Sequence, residues 1–213
     1  MDVESVPMVH QMVSLSREES LRLVGHQHAC HAMIYASCPD KIFGKIPVRY
    51  AVLMQMRFDG RLGFPGGFME IRDGGFLEAG FNRELASQLG IQPGLLRITE
   101  REHVLAHVMP VSGDRPIVAH FYMRELSLPQ LRDVEMAALG ARDFGAEVMR
   151  TVRVPLYTLR DGVGGLPAFL CNSFASMARE QLLWALAARR LLPPGRLREA
   201  CETARVPVPA LAL

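Results

Sequence analysis

The stretch "NRELASQLG", Asn82–Gly90, decides how the rest of the chain is read. Leu77, Phe81, Leu85 and Leu89 recur every four residues, and Gly90 stands where a left-handed C-terminal cap belongs, so a helix is predicted over 76–89. On that helix Glu84 shares a face with the residues three and four positions on, Ser87 and Gln88. Three carboxylates at this spacing would hold Mg²⁺ or Mn²⁺ beside a pyrophosphate, because hard cations take oxygen ligands and polarise phosphoryl oxygens. Only one of the three is present. Upstream, Gly66-Gly67 in "LGFPGGF" marks a turn before the helix.

Around this centre the pattern alternates between strand and helix. "HACHAMIYA" is β-prone, and "VRYAVLMQMRF" is a long apolar run suited to a central strand, followed by a turn at Asp59-Gly60. "LLRITEREHVLAHVM", "PIVAHFYMREL" and "AEVMRTVRVPLYTL" read as strands, with "VSGDRP" and "RDGVGGLP" as loops. Two N-caps are explicit: Ser16, with Glu19 three residues on, and Ser127, with Pro129 in the first turn. A long amphipathic helix is predicted over 169–192, with Trp184 as a packing residue. Strands interleaved with helices indicate an α/β class.

Bulk properties bound the function. The 213 residues suit a single domain, and 49% hydrophobic content supplies a core. No apolar run is long enough to cross a bilayer, so no membrane partner is expected. The acidic, mixed start does not read as a secretory signal, and Cys30, Cys38, Cys171 and Cys201 lack zinc-ligand spacing, which fits a reduced, intracellular protein. A net charge of +2 gives no nucleic-acid footprint. Lys41 and Lys45 are the only lysines, so the cations are almost all arginine, the side chain that pairs bidentately with phosphate; biased base composition in the gene explains the same fact. His26, His28, Cys30 and His31 suggest a metal site, but strand alternation puts His31 on the opposite face from the others.

"RELASQLGI" resembles the second half of the Nudix signature, with both distal glutamates replaced. The first half fits less well, since Gly75 falls where a glutamate is expected and one extra residue lies between Gly67 and Glu84. "HACHAMIYA", "FGKIPVRYAVLMQMRFDGRLGFPGGF", "VRVPLYTLRDGVGGLPAFL" and "AREQLL" are similar to one branch of that family. The branch unites a nuclear enzyme that decaps snoRNA and hydrolyses inosine diphosphate with a non-catalytic, Tudor-interacting relative. The resemblance covers residues 5–190 or so. It implies a single-domain α/β/α sandwich with a mixed sheet, divided as an N-terminal segment (1–25), a Nudix-like domain (26–192) and a peripheral C-terminal tail (193–213).

The resemblance also implies roles. His31, Arg57, Phe64 and Gln181 match positions that contact a purine nucleotide. Gly66, Glu84 and His107 match positions at or near the metals, while Ser87 and Gln88 replace expected carboxylates. Gln88, or a nearby acid such as Glu70 or Glu78, could stand in as a ligand, although Glu78 lies on a different helical face from Glu84. Two readings follow: a degenerate, catalytically weak or inactive Nudix protein that binds RNA or nucleotide, or an active hydrolase using Mg²⁺ or Mn²⁺. A tandem-Tudor repair protein would engage His10 and Arg115 in the first reading. A homodimer and residence in nucleus and cytoplasm are further expectations of the resemblance.

Overall fold

The computed structural model describes residues 14–69, 76–92, 94–109 and 115–210. These form a seven-stranded mixed sheet with helices on both faces. The strands are β1 (Gln27–Ile42), β2 (Ile46–Arg57), β3 (Leu62–Gly63), β4 (Gly66–Met69), β5 (His103–Met109), β6 (Ile117–Glu125) and β7 (Val148–Arg153). The main order is β3-β2-β1-β6-β5, with β4 also on β1 and β7 also on β2. β1 and β6 pair in parallel, while the other pairs are antiparallel. β1 is the hub, and its residues alternate between two cores, as strand geometry requires.

One face carries Cys30, Ala32, Ile34 and Ala36 of β1, covered by α2 (Leu77–Gln88) and α3 (Leu128–Ala137) through Leu77, Phe81, Leu85, Leu131 and Val134. The opposite face carries Met33 and Tyr35, covered by α4 (Leu166–Leu170), α5 (Ala178–Ala188) and α6 (Pro194–Ala204). This is the α/β/α sandwich expected. The predicted helix over 76–89 is found at Leu77–Gln88, and the Ser16 and Ser127 caps form with reciprocal bonds to Glu19 and Gln130.

Four expectations need correction. The helix predicted over 169–192 breaks at 171–177 into α4 and α5. The segment 193–213 is not a peripheral tail over its described part: α6 buries Leu197, Ala200 and Cys201 in the core. The boundary at residue 25 also falls inside the packed domain, because α1 (Arg17–Leu21) is tied to the sheet through Leu15 N–H to Ala106 O at 2.7 Å. In addition, the strand read from "LLRITEREHVLAHVM" begins only at His103, after a 3₁₀ turn at Glu100–Glu102.

Candidate nucleotide cleft

The strand–turn–helix unit that holds the site is fixed by backbone constraints. Gly66 has φ +139°, and a Cβ there would lie 2.0 Å from the Cys30 carbonyl oxygen, so only glycine fits beside β1. β4 thereby pairs Gly66 with His31 and Gly67 with Cys30. Asn82 pins the far side of α2: its amide donates to the Glu78 and Ile98 carbonyls and its oxygen accepts from Ile98 N–H, all at 2.7 Å.

His31, Arg57, Phe64 and Gln181 come from β1, β2, the β3–β4 turn and α5, and all four line one cleft of about 300 Å³. Phe64 is buried and packs on Phe121 with ring centroids 5.2 Å apart. Arg57 is partly exposed, donates to Asp59 at 3.3 Å and lies 5.5 Å from the Phe58 ring. Burial, then the Arg57 charge, then His107 hold the His31 imidazole down at about 4. It is therefore neutral at physiological pH and presents one donor and one acceptor nitrogen. Asp59, Arg61, Phe68, Met109, Ser176 and Met177 also line the cleft and were not singled out in the sequence.

The positions expected to hold metal behave differently. Gln88 turns its amide onto Gly66: Oε1 accepts from Gly66 N–H at 2.8 Å, and Nε2 donates to Gly66 C=O at 3.3 Å. At Gly66, which the resemblance places at or near the metals, one lone pair of the carbonyl thus faces a neutral donor that brings no charge to a cation. Ser87 is exposed and has no charge to offer. Glu84 lies close to Gly67, with Oε1 3.8 Å from where a Cβ of residue 67 would be. His107 is buried on β5, kept neutral by that burial, and neither ring nitrogen has a hydrogen-bond partner among the described residues.

Glu78 is committed elsewhere. Arg17 Nε and Nη2 donate to its two oxygens at 2.7 and 2.8 Å, and Tyr122 O–H donates at 2.9 Å. Burial pushes its carboxyl up, but these bonds together outweigh it and hold the group below its ordinary range. Glu78 is therefore no substitute ligand. Glu70, Gly75 and His10 lie outside the described residues, and Arg115 is exposed. Among the described residues no group of three or more His, Cys, Asp or Glu could hold a metal ion. One carboxylate, a hydroxyl and an amide bonded to backbone, the donors described at these positions, offer a divalent ion less charge than three carboxylates would.

Of the His26, His28, Cys30 and His31 group, His28 joins two histidines that the sequence reading did not include. His28 Nδ1 meets His120 Nε2 at 2.8 Å, and His120 Nδ1 meets His103 Nε2 at 3.2 Å. The imidazoles bond one another in a chain, so their nitrogens do not converge on a common point. Burial holds His103 at about 4 and His120 at about 3.

A family described as Nudt16-like, U8 snoRNA-decapping enzyme-like, matches residues 28–192. The chain is 58% identical to the U8 snoRNA-decapping enzyme of Bos taurus over 186 residues, which cover 86% of this chain and 93% of that protein. It is 49% identical to the Tudor-interacting repair regulator protein of Mus musculus over 201 residues, 94% of this chain and 92% of that one. Among solved structures, the NUDIX domain of Shewanella oneidensis NrtR complexed with ADP ribose aligns with a TM-score of 0.47 at 16% identity, covering 84% of this chain and all of that one.

Proposed function

This chain belongs to the U8 snoRNA-decapping enzyme-like family of Nudix proteins, and from that premise we propose that it binds a purine nucleotide, free or at the end of an RNA, and hydrolyses it little. The observation that carries this reading is the Gln88 amide on Gly66. A Nudix site without its carboxylates loses charge, but a vacated carbonyl could still accept a cation delivered by substrate phosphates. Here one lone pair of that carbonyl faces the Gln88 amide, which takes a carboxylate's place without its charge. Losing one key electrostatic group commonly costs ~10²–10³ in rate, and several are absent together.

Binding is a separate matter from turnover. Neutral His31, the Arg57 guanidinium, the Phe64 ring and the Gln181 amide supply the mixture of apolar wall and few polar anchors that ligand clefts use. Two measurements on the purified protein test the pair of claims. Calorimetric titration with inosine monophosphate is expected to give saturable binding. Phosphate release from inosine diphosphate with Mg²⁺ or Mn²⁺ is expected to stay near background. Turnover of about 1 s⁻¹ or faster would place the protein among ordinary enzymes and overturn the reading.

The higher identity to the bovine decapping enzyme, 58% against 49% for the murine repair regulator, favours a second reading of metal-dependent hydrolysis on capped RNA or inosine nucleotides. The same phosphate-release assay separates the two. The second relative's printed name supports a Tudor-domain protein as partner; His10 and Arg115 are the contact residues proposed for it, and nucleus and cytoplasm the proposed locations. Loss of co-precipitation of a tandem-Tudor protein with Arg115→Glu would support that contact, and unchanged capture would remove Arg115 from it.

A further inference from the structure

The break between α4 and α5 builds a second groove beside the cleft. Residues 171–177 run as a loop rather than a helix, and the loop is bolted to β3 from both sides: Leu62 N–H donates to Ser173 O and Ala175 N–H donates to Leu62 O, each at 2.8 Å. Ser176 takes φ +48°, a left-handed conformation that a non-glycine residue adopts at a cost. Such strain, held in place by surrounding bonds, concentrates at functional sites. Arg61 and Ser176 line both the cleft and this groove, so the two are continuous.

The groove beyond them is predominantly polar. Arg179 lies over the Phe174 ring at 5.8 Å, making a stacked arginine–aromatic surface, and its buried Nε has no hydrogen-bond partner among the described residues. Its nearest acid, Glu180, stands 3.8 Å away, a loose pair on two partly exposed side chains. Arginine and an aromatic ring interleaved along a groove are what single-stranded nucleic acid uses: the cation meets the phosphodiester and the flat surface receives a base.

We propose that the groove formed by Arg61, Phe174, Ser176 and Arg179 receives the second nucleotide of a single-stranded RNA whose terminal nucleoside occupies the cleft. Arg61, at the junction, meets the linking phosphodiester. The Arg179–Phe174 stack carries the following base, and the Arg179 guanidinium meets the next phosphate. The inference rests on the nucleotide reading of the cleft and extends it from a mononucleotide to a chain.

Calorimetry in EDTA tests this without interference from hydrolysis. The ligands are inosine monophosphate and a 5′-phosphorylated RNA tetramer beginning with inosine. The tetramer is expected to bind the wild-type protein at least ~5-fold more tightly, since one stacked base is worth that much or more. Arg179→Gln should remove most of that gain and lower the salt dependence by about one phosphate contact, leaving inosine monophosphate affinity unchanged. Phe174→Leu, which keeps an apolar side chain against the core, should lose the gain without changing the salt slope. Equal affinity of tetramer and mononucleotide for the wild type would overturn the groove while leaving the cleft reading intact. So would equal weakening of both ligands by Arg179→Gln in a variant with wild-type near-UV dichroism. If neither ligand binds, the cleft reading falls and the groove falls with it.

Discussion

Replacing Gln88 by alanine tests the clamp on Gly66 directly. The substitution keeps a helix-forming residue on α2, so backbone propensity changes little. What is lost is one good hydrogen bond at 2.8 Å and one long one at 3.3 Å, both part-buried. A net bond contributes about 0.5–1.5 kcal/mol, so the short one is taken near the upper end and the long one near the lower, giving about 2 kcal/mol in all. In a domain of this size that is a fall of about 4–8 °C in Tm. Gln88→Glu separates bond from charge. Its carboxylate still accepts from Gly66 N–H, but it faces the Gly66 carbonyl without a donor and stands one turn from Glu84, so it too should melt early. Added Mg²⁺ should raise the Gln88→Glu melting temperature through binding linkage and leave the alanine variant where it is. Denaturant melts with and without metal read both effects. A loss under about 0.5 kcal/mol for Gln88→Ala would mean that the clamp contributes nothing measurable, and the case against a cation at Gly66 would go with it.

Gly66→Ala should abolish folding or lower Tm by more than 10 °C, since the added Cβ meets Cys30 carbonyl at 2.0 Å; a near-native melt would refute the register of β4 on β1. The buried histidines carry folded values depressed below 6.5, so the unfolded chain binds more protons and stability, full above about pH 6.5, falls as pH drops toward 4 and, for His120, about 3. His120 alone contributes up to about 1.4 kcal/mol per pH unit in that window, and a stability flat between pH 6.5 and 4.5 would contradict the chain of imidazoles. Affinity for the nucleoside inosine, which has no phosphate to titrate, should be constant from pH 7.5 to 5.5, because His31 is held at about 4; a titration centred near 6.5 would show His31 to be solvated. Ser87→Glu with Gln88→Glu should fold and gain metal-dependent release of phosphate from inosine diphosphate, and a double variant that binds metal yet stays silent would locate the defect upstream of α2.

The sequence disclosed the frame because its signals were local and periodic. Leu77, Phe81, Leu85 and Leu89 repeat on one helical face, and that face is the one α2 buries. The convergence of His31, Arg57, Phe64 and Gln181 came from resemblance, since nothing in their spacing joins them. The break at 171–177 was hidden by apolar residues that continue past it, although Asn172-Ser173, two turn-forming residues in mid-helix, pointed to it. Pro193-Pro194-Gly195 follows the helix predicted over 169–192 and breaks its pattern, but proline is equally at home in a first helical turn, and Pro194 opens α6. The roles of Glu78 and Gln88 were beyond reach. A missing carboxylate is visible in a sequence, but the amide's partner at Gly66 and Arg17's grip on Glu78 are long-range geometry.

The parallel pairing of β1 with β6 has a kinetic side. Gln27 finds its neighbour at Ile117 and Tyr35 at Glu125, roughly ninety residues later. At about 5–20 residues per second, a ribosome needs several seconds to deliver that partner. The hairpin of β1 and β2 forms early, and until β6 arrives one side of β1 presents unpaired amides and carbonyls flanked by apolar side chains. Long-range parallel pairing is slow and exposed to aggregation. Nascent chains of this protein therefore carry their most vulnerable edge at the centre of the finished sheet, and coexpressed chaperones should raise soluble yield more than any surface substitution does.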